Sequence, residues 1–100
     1  MIIYSESLYC DEKIKENKQK ALKKGIKGDY WFIMLPEHGN NLLEIVEAQY
    51  LRQPYYKKKN IYVVGLTETK ESAEQLVCRI VEDCCTEDGS IDIRNRLFEV

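Results

Sequence analysis

The sequence predicts a small α/β domain in which a mixed or parallel sheet of three or four strands packs with three helices. Two apolar runs, residues 30–35 (YWFIML) and 61–66 (IYVVGL), lack polar alternation, which is typical of strands covered on both faces. A helical pattern of apolar residues over 70–86 follows the second run. The chain has 100 residues, 44% apolar and 32% charged, so we expect one folded domain over residues 1–100.

The first helix is predicted from about residue 9 to 25 and is rich in lysine. Its apolar stripe is thin and consists of Ile14, Ala21 and Leu22. Residues 1–4, MIIY, form either a further strand or an irregular start. The element order is therefore βαβαβαβ with that strand, or αβαβαβ without it.

The second helix is predicted over residues 41–52. Apolar side chains stand there at helical spacing, at Leu42, Leu43, Val46 and Tyr50. A helix between the two buried runs makes a β-α-β unit. We therefore expect the strands at 30–35 and 61–66 to be parallel, with a right-handed crossover.

The third helix, over residues 70–86, has the clearest pattern, because Thr69 is a good N-cap and Glu71 suits the first turn. After it, residues 90–100 (SIDIRNRLFEV) alternate apolar and polar side chains, as a half-exposed edge strand does. Edge strands pair readily with another chain, so this segment favours protein contacts.

The cysteines lack the spacing of a zinc site and include no C-x-x-C pair; they are Cys10, Cys78, Cys84 and Cys85. We expect reduced thiols, those of the third helix packed in the core, and neither a metal site nor a cofactor. The start of the chain has no basic segment before a long apolar run, and no apolar run approaches the length of a membrane span. These features predict a cytoplasmic protein without a membrane segment.

The first candidate site lies where the two buried strands would end. Residues 35–41 (LPEHGNN) carry the only histidine, His38, which is the candidate general base. Parallel strands bring their carboxyl ends to one edge of a sheet, where ligands bind and helix N-termini favour anions. Turn and cap residues have the same composition, so caps and turns are the alternative interpretation. The candidate ligand-binding residues are Glu37, His38, Asn40, Asn41, Thr67, Thr69 and Lys70.

The second candidate site is a basic aromatic segment, residues 50–60 (YLRQPYYKKKN). Aromatic faces beside cations suit single-stranded nucleic acid, because bases stack and phosphates are neutralised. Against this, the sequence pI of about 5.5 is below that of most nucleic-acid modules. The candidate residues are Arg52, Tyr55, Tyr56, Lys57, Lys58 and Lys59.

The charge distribution is compatible with a partner protein, and the alternative interpretation is that the charged segments are separate solvated faces. Residues 11–28 and 52–59 each carry a net charge of +4, whereas residues 71–92 carry −6, although the whole chain is only −2. Such opposed segments pair with a charged partner or with a second copy in a homo-oligomer. The leading hypothesis is a non-enzymatic cytoplasmic binding or regulatory module acting through protein contacts. The alternatives are a protein or enzyme that binds a small anion at His38, and a weak single-stranded nucleic-acid binder.

Overall fold

The protein is an α/β fold built on a four-stranded mixed sheet; the computed structural model describes residues 1–37 and 42–98. The strands are β1 (Ile2–Cys10), β2 (Trp31–Met34), β3 (Glu44–Glu47) and β4 (Ile61–Thr67). The helices are α1 (Glu12–Glu16), α2 (Lys18–Lys24), α3 (Ala48–Leu51), α4 (Pro54–Lys57), α5 (Lys70–Asp83) and α6 (Ile93–Phe98), and a single 3-10 turn, Gly25–Lys27, follows α2. Within these ranges no helix is long and apolar enough to cross a lipid bilayer.

The strand order is β1-β4-β2-β3, with β1 parallel to β4 and β2 antiparallel to both of its neighbours. The predicted parallel pairing of the two buried runs is therefore wrong: β2 and β4 are neighbours, but Phe32 lies opposite Leu66 and Met34 lies opposite Val63. Among the described residues between them, no long helix crosses over, because the chain returns through β3. The parallel partner of β4 is instead β1, so MIIY belongs to a strand.

Helices cover both faces of the sheet. The elements α1 to α4 and the 3-10 turn pack on one face, where the buried cluster is Leu8, Cys10, Ile14, Ala21, Phe32, Met34, Ala48, Leu51, Ile61, Val63 and Leu66. The helices α5 and α6 pack on the other face, with Ile33, Leu35, Val64, Ala73, Leu76, Ile80, Cys84 and Ile93. Residues 63–67 of β4 are all buried, as the centre of such a sandwich requires.

The helix predicted over 41–52 is absent from the part of that segment which the structure describes. Residues 44–47 form β3, and only the single turn of α3 follows. Ile45 and Val46 are β-branched and pair with Ile33 and Phe32 across the sheet. Their side chains pack on opposite faces of the sheet, Val46 against one buried cluster and Ile45 against the other. The apolar residues that suggested one face of a helix therefore belong to both faces of a strand.

The edge strand predicted over 90–100 is also wrong within the described residues, because α6 occupies 93–98. The Asp92 carboxylate accepts the backbone N–H of Asn95 at 3.3 Å, which is the geometry of a helix N-cap. Ile93 and Leu97, four residues apart, pack against the core. The Ser5 hydroxyl donates to the Leu97 carbonyl oxygen at 2.8 Å and fixes α6 against β1.

The N-terminal segment contains less helix than predicted. The strand β1 continues to Cys10, and the helical region is broken at Asn17, whose side chain accepts the Lys20 N–H at 3.3 Å and starts α2. The structure therefore has six short helices among the described residues rather than three. The helix predicted over 70–86 is present as α5, with the Thr69 cap in place. Of its three expected core thiols only that of Cys84 is buried, because Cys78 and Cys85 are exposed.

Candidate functional site

The predicted site at the strand ends is divided between opposite ends of the sheet. Because β2 and β4 are antiparallel, Glu37 lies beyond one end of β4 while Thr67, Thr69 and Lys70 lie at the other. The remaining members of the predicted site, His38, Asn40 and Asn41, lie outside the described residues. The described members therefore do not surround a common concavity.

The residues at the carboxyl end of β4 have roles in the fold. The buried Thr67 hydroxyl donates to the Thr69 carbonyl oxygen at 2.8 Å. The Thr69 hydroxyl accepts the N–H of Ser72 at 3.1 Å and caps α5. Lys70 is the exposed first residue of that helix. The cap interpretation considered from the sequence therefore accounts for both threonines.

Glu37 instead meets two residues of the predicted nucleic-acid segment. The Tyr55 hydroxyl donates to Glu37 Oε2 at 3.1 Å, and the Lys59 ammonium group donates to the Glu37 carboxylate. Lys59 Nζ also lies 4.0 Å from the centre of the Tyr55 ring. The hydrogen bond to Glu37 raises the pKa of Lys59. This cluster borders a pocket of about 190 Å³ and leaves one face of Tyr55 covered by a cation.

Two more residues of that segment stabilise the fold. Arg52 Nε donates to the Ile26 carbonyl oxygen at 2.5 Å, and Arg52 Nη2 donates to the Gly28 carbonyl oxygen at 3.0 Å. Tyr56 packs against the buried cluster beneath α4. Lys57 and Lys58 are left as exposed cations of the predicted nucleic-acid surface.

The structure joins the two lysine-rich segments on one side of the molecule. Residues 12–27 and 48–59 both pack their apolar side chains into the same cluster, so their charged side chains form one outer surface, the basic face. These segments hold eleven lysines and arginines against two glutamates, a net charge of +9. Nine of the eleven cations are exposed. The opposite layer, residues 70–98, holds four cations against seven acids, a net charge of −3, and forms the acidic face.

A groove lies at the carboxyl ends of the true parallel pair, β1 and β4. It encloses about 490 Å³ between α1 and α5, and we call it the α1/α5 groove. A second concavity of about 420 Å³ shares Cys10, Lys15, Leu76 and Arg79 with it and continues toward Asp83. The residues that define the groove are Cys10, Asp11, Glu12, Lys13, Lys15, Ser72, Gln75, Leu76 and Arg79.

Asp11 holds the two walls of this groove together. One of its carboxylate oxygens accepts the N–H of Ile14 at 2.9 Å and caps α1. The other accepts the N–H of Glu68 at 2.8 Å, in the loop before α5. One side chain therefore joins the turn after β1 to the turn after β4.

Two titratable groups along the groove, Tyr9 and Cys10, are in their neutral forms near pH 7. Burial and the hydrogen bond that the Tyr9 hydroxyl donates to Asp83 Oδ2, at 2.6 Å, raise the pKa of Tyr9 to about 12. Burial likewise raises the pKa of the Cys10 thiol, which makes it a poor nucleophile. The groove therefore offers groups for binding rather than an activated nucleophile. Among the described residues no three His, Cys, Asp or Glu side chains cluster as metal ligands would.

Sequence reasoning missed this groove because it placed the parallel pair wrongly. The rule that ligands bind at the carboxyl ends of parallel strands applies, but to β1 and β4. Residues Leu8 and Cys10, buried two positions apart, carry the period of a strand beyond MIIY. Asp11 directly after Cys10 is the type of residue that caps a helix. Together, the strand period at Leu8 and Cys10 and the cap residue Asp11 were the sequence features from which this groove could have been predicted.

Comparison with known proteins gives no relative: no family model, no curated protein and no solved structure matches this chain. The argument for function therefore rests on the chain's own geometry.

Proposed function

We propose that this chain is a small cytoplasmic, non-enzymatic binding module whose basic face docks on an acidic surface of a partner protein. The observation that carries the proposal is the packing of two separate lysine-rich segments on one face of the sheet, with a net charge of +9. Glu37, paired with Lys59, cancels one of these charges, and the acidic residues of 70–98 lie on the other side of the sheet. A field of one sign over a face steers a partner of opposite charge and fixes its orientation.

The low sequence pI does not oppose this proposal. The net charge of −2 is an average over two unlike faces, whereas a docking partner meets only one of them. Charges separated by more than about 8 Å of salt solution are largely screened from each other at physiological ionic strength. The local charge of the basic face therefore governs association.

The partner is better matched by protein carboxylates than by nucleic acid. Recognition of single strands depends on free aromatic faces on which bases stack. Tyr55 carries the Lys59 ammonium group over its ring, and Tyr56 packs into the core. Arg52 donates to two backbone carbonyls. Of the two candidate stacking residues of the segment, only Tyr55, which is 56% exposed, remains available, and Lys59 already covers part of its ring.

Self-association through the exposed edge of β3 is disfavoured by its charges. In a two-fold antiparallel pair centred between Ile45 and Val46, Glu44 of one copy lies directly opposite Glu47 of the other. Like charges placed directly opposite each other destabilise a strand pair. This argues against self-association by that strand pairing, whereas contact of the basic face with the acidic face of a second copy is the remaining homo-oligomer alternative.

Charge-neutralising variants test the proposal with poly-L-glutamate as the acidic probe. The test variant changes four exposed residues of the basic face to glutamine: Lys20, Lys23, Lys24 and Lys27. The matched control changes four exposed residues of the acidic face to glutamine: Glu71, Glu74, Glu82 and Glu87. If each of the four lysines makes one surface ion pair with the probe, worth about 0.5 kcal/mol, their removal costs about 2 kcal/mol of binding free energy. We therefore expect the test variant to bind poly-L-glutamate roughly thirtyfold more weakly.

Fluorescence anisotropy of labelled poly-L-glutamate measures this binding, with a single-stranded oligonucleotide as the competing probe. We expect the control to bind at least as well as the unmodified chain, and binding to weaken as salt is added. Equal losses in the test variant and the control would reject the basic face as the docking surface. An oligonucleotide that binds more tightly than poly-L-glutamate, loses affinity steeply as salt is added, and loses affinity in Tyr55→Leu would assign nucleic acid as the partner instead.

A further inference from the structure

We propose that the α1/α5 groove binds a small molecule that carries a phosphate or carboxylate group and covers the apolar floor of the groove with the rest of its body. The groove lies at the carboxyl ends of two adjacent parallel strands, where α/β folds bind ligands. Its volume of about 490 Å³ is within the range of small-molecule sites. This site adjoins the docking surface proposed above: its α1 wall carries Lys13 and Lys15 of the basic face, whereas its other wall belongs to α5 on the other side of the sheet.

Cations on both walls of the groove provide the anion-binding groups. Lys13 and Lys15 project from α1, and Arg79 projects from α5. Ser72 and Gln75 add a hydroxyl and an amide on the same side of α5. A guanidinium group holds phosphate or carboxylate by two parallel hydrogen bonds, and lysines reinforce it as point charges.

The carboxylates near the groove are already engaged with other groups. Asp11 accepts two backbone N–H groups, and Asp83 accepts the Tyr9 hydroxyl. Glu12 lies 3.8 Å from the Lys15 ammonium group, but its side chain is 92% exposed and points to solvent. The groove lining thus holds three cations, Lys13, Lys15 and Arg79, against the carboxylates of Asp11 and Glu12, a net charge of +1.

The floor of the groove is apolar and sets the shape of the rest of the ligand. Leu76 and Cys10 are only 8% and 4% exposed and form this floor. The raised pKa of Cys10 keeps its thiol uncharged, so it packs as a small apolar group. An apolar body that covers the floor removes this surface from water while its anionic group meets the cations at the walls. Neither part alone fills the groove.

Adenosine monophosphate is a suitable probe, with inorganic phosphate and adenosine as its two separate parts. In backbone-resolved NMR titrations we expect the intact probe to bind with a Kd of about 1 mM or tighter, and each part to bind at least about tenfold more weakly. The shifts should fall on the groove residues Lys13, Lys15, Ser72, Gln75 and Arg79.

Three variants separate this site from the basic face. Arg79→Gln should weaken binding of adenosine monophosphate by at least about tenfold, because it removes a charge-assisted hydrogen-bond donor. Arg79→Lys should retain part of the affinity. The matched control, Arg96→Gln, removes an exposed arginine of α6 that does not line the groove and should leave the Kd unchanged. Arg79 is exposed, so we expect its replacement to leave the fold and the free energy of unfolding within about 0.5 kcal/mol of those of the unmodified chain.

The result that would overturn the inference is specific to the groove. It is rejected if adenosine monophosphate at about 10 mM, a concentration that detects even weak sites, shifts no groove residue. It is equally rejected if the shifts map to α2 and disappear in the four-lysine variant, since the basic face is then the site. Failure of poly-L-glutamate binding alone leaves the groove result standing, because Ser72, Gln75 and Arg79 line the groove and do not belong to the basic face.

Discussion

Asp11→Ala tests whether one carboxylate joins the two loops that follow the parallel strands. Asp11 makes two hydrogen bonds to backbone N–H groups, one that caps α1 and one that reaches the loop before α5. Removing it leaves both donors without this partner. We expect the variant to fold but to be clearly less stable.

The size of this effect follows from the two contacts. Loss of an N-cap costs about 1 kcal/mol, and loss of a charge-assisted hydrogen bond costs roughly 1.5 to 3 kcal/mol. Asp11 is partly exposed, so water replaces part of the second contact. We therefore expect Asp11→Ala to lower the free energy of unfolding by about 2 to 3 kcal/mol. Asp11→Asn keeps one acceptor oxygen and should lose about half as much.

Urea denaturation monitored by circular dichroism measures these changes from the midpoint at constant m-value. The matched control is Asp29→Ala, an exposed acid in a turn, for which a change within about 0.5 kcal/mol is expected. A loss below about 0.5 kcal/mol for Asp11→Ala would refute the bridging role. So would an equal loss in the control.

Three further changes test the core, the pH response and the thiols. In Gly65→Ala the new Cβ would lie 2.8 Å from Ile33 Cδ1, so we expect a loss of about 1 to 3 kcal/mol that Ile33→Val partly relieves in a double-mutant cycle of urea midpoints. Folding raises the pKa of Tyr9 from 10.0 to about 12, so the hydroxyl stabilises the fold fully below pH 10 and loses this contribution as the pH rises toward 12. In alkaline unfolding, Tyr9→Phe should therefore lack this loss of stability. Identical unfolding profiles for the variant and the unmodified chain would contradict this role of Tyr9. Alkylation of the native protein followed by mass spectrometry should modify two thiols rapidly and two only on unfolding, and the rapid pair should be Cys78 and Cys85.

The fold class could be predicted because the strongest signals are also the most buried elements. The runs at 30–35 and 61–66 became β2 and β4, and the pattern over 70–86 became α5, whose Thr69 cap is a local interaction. In each case propensity, apolar pattern and flanking residues agree on one structure. Such elements can be predicted without knowing which other elements pack beside them.

The elements that sequence missed are short and depend on their neighbours. The segment 44–47 has apolar residues at helical spacing, but its β-branched pair gains backbone partners only once β2 is beside it. Residues 91–97 show both a strand-like alternation and the four-residue spacing of Ile93 and Leu97. The Asp92 cap that resolves them is a single side chain.

The candidate site was predicted at the wrong place because the sequence pattern predicted β2 and β4 to be parallel. Reading β2 and β4 as parallel brought Glu37 and Thr67 to the same edge, whereas their antiparallel pairing puts them at opposite ends. The direction of a neighbouring strand depends on how the intervening chain returns, which no local pattern records. The basic segments, by contrast, were visible in sequence, and only their convergence on one face needed the structure.

The most direct test of the basic face is a map of where an acidic polypeptide touches the protein. Chemical-shift perturbation by poly-L-glutamate should be concentrated in the helices α1, α2 and α4, including Lys57 and Lys58, and should diminish as salt is added. Perturbations spread equally over α5 and α6, or none at low salt, would contradict the proposed docking function.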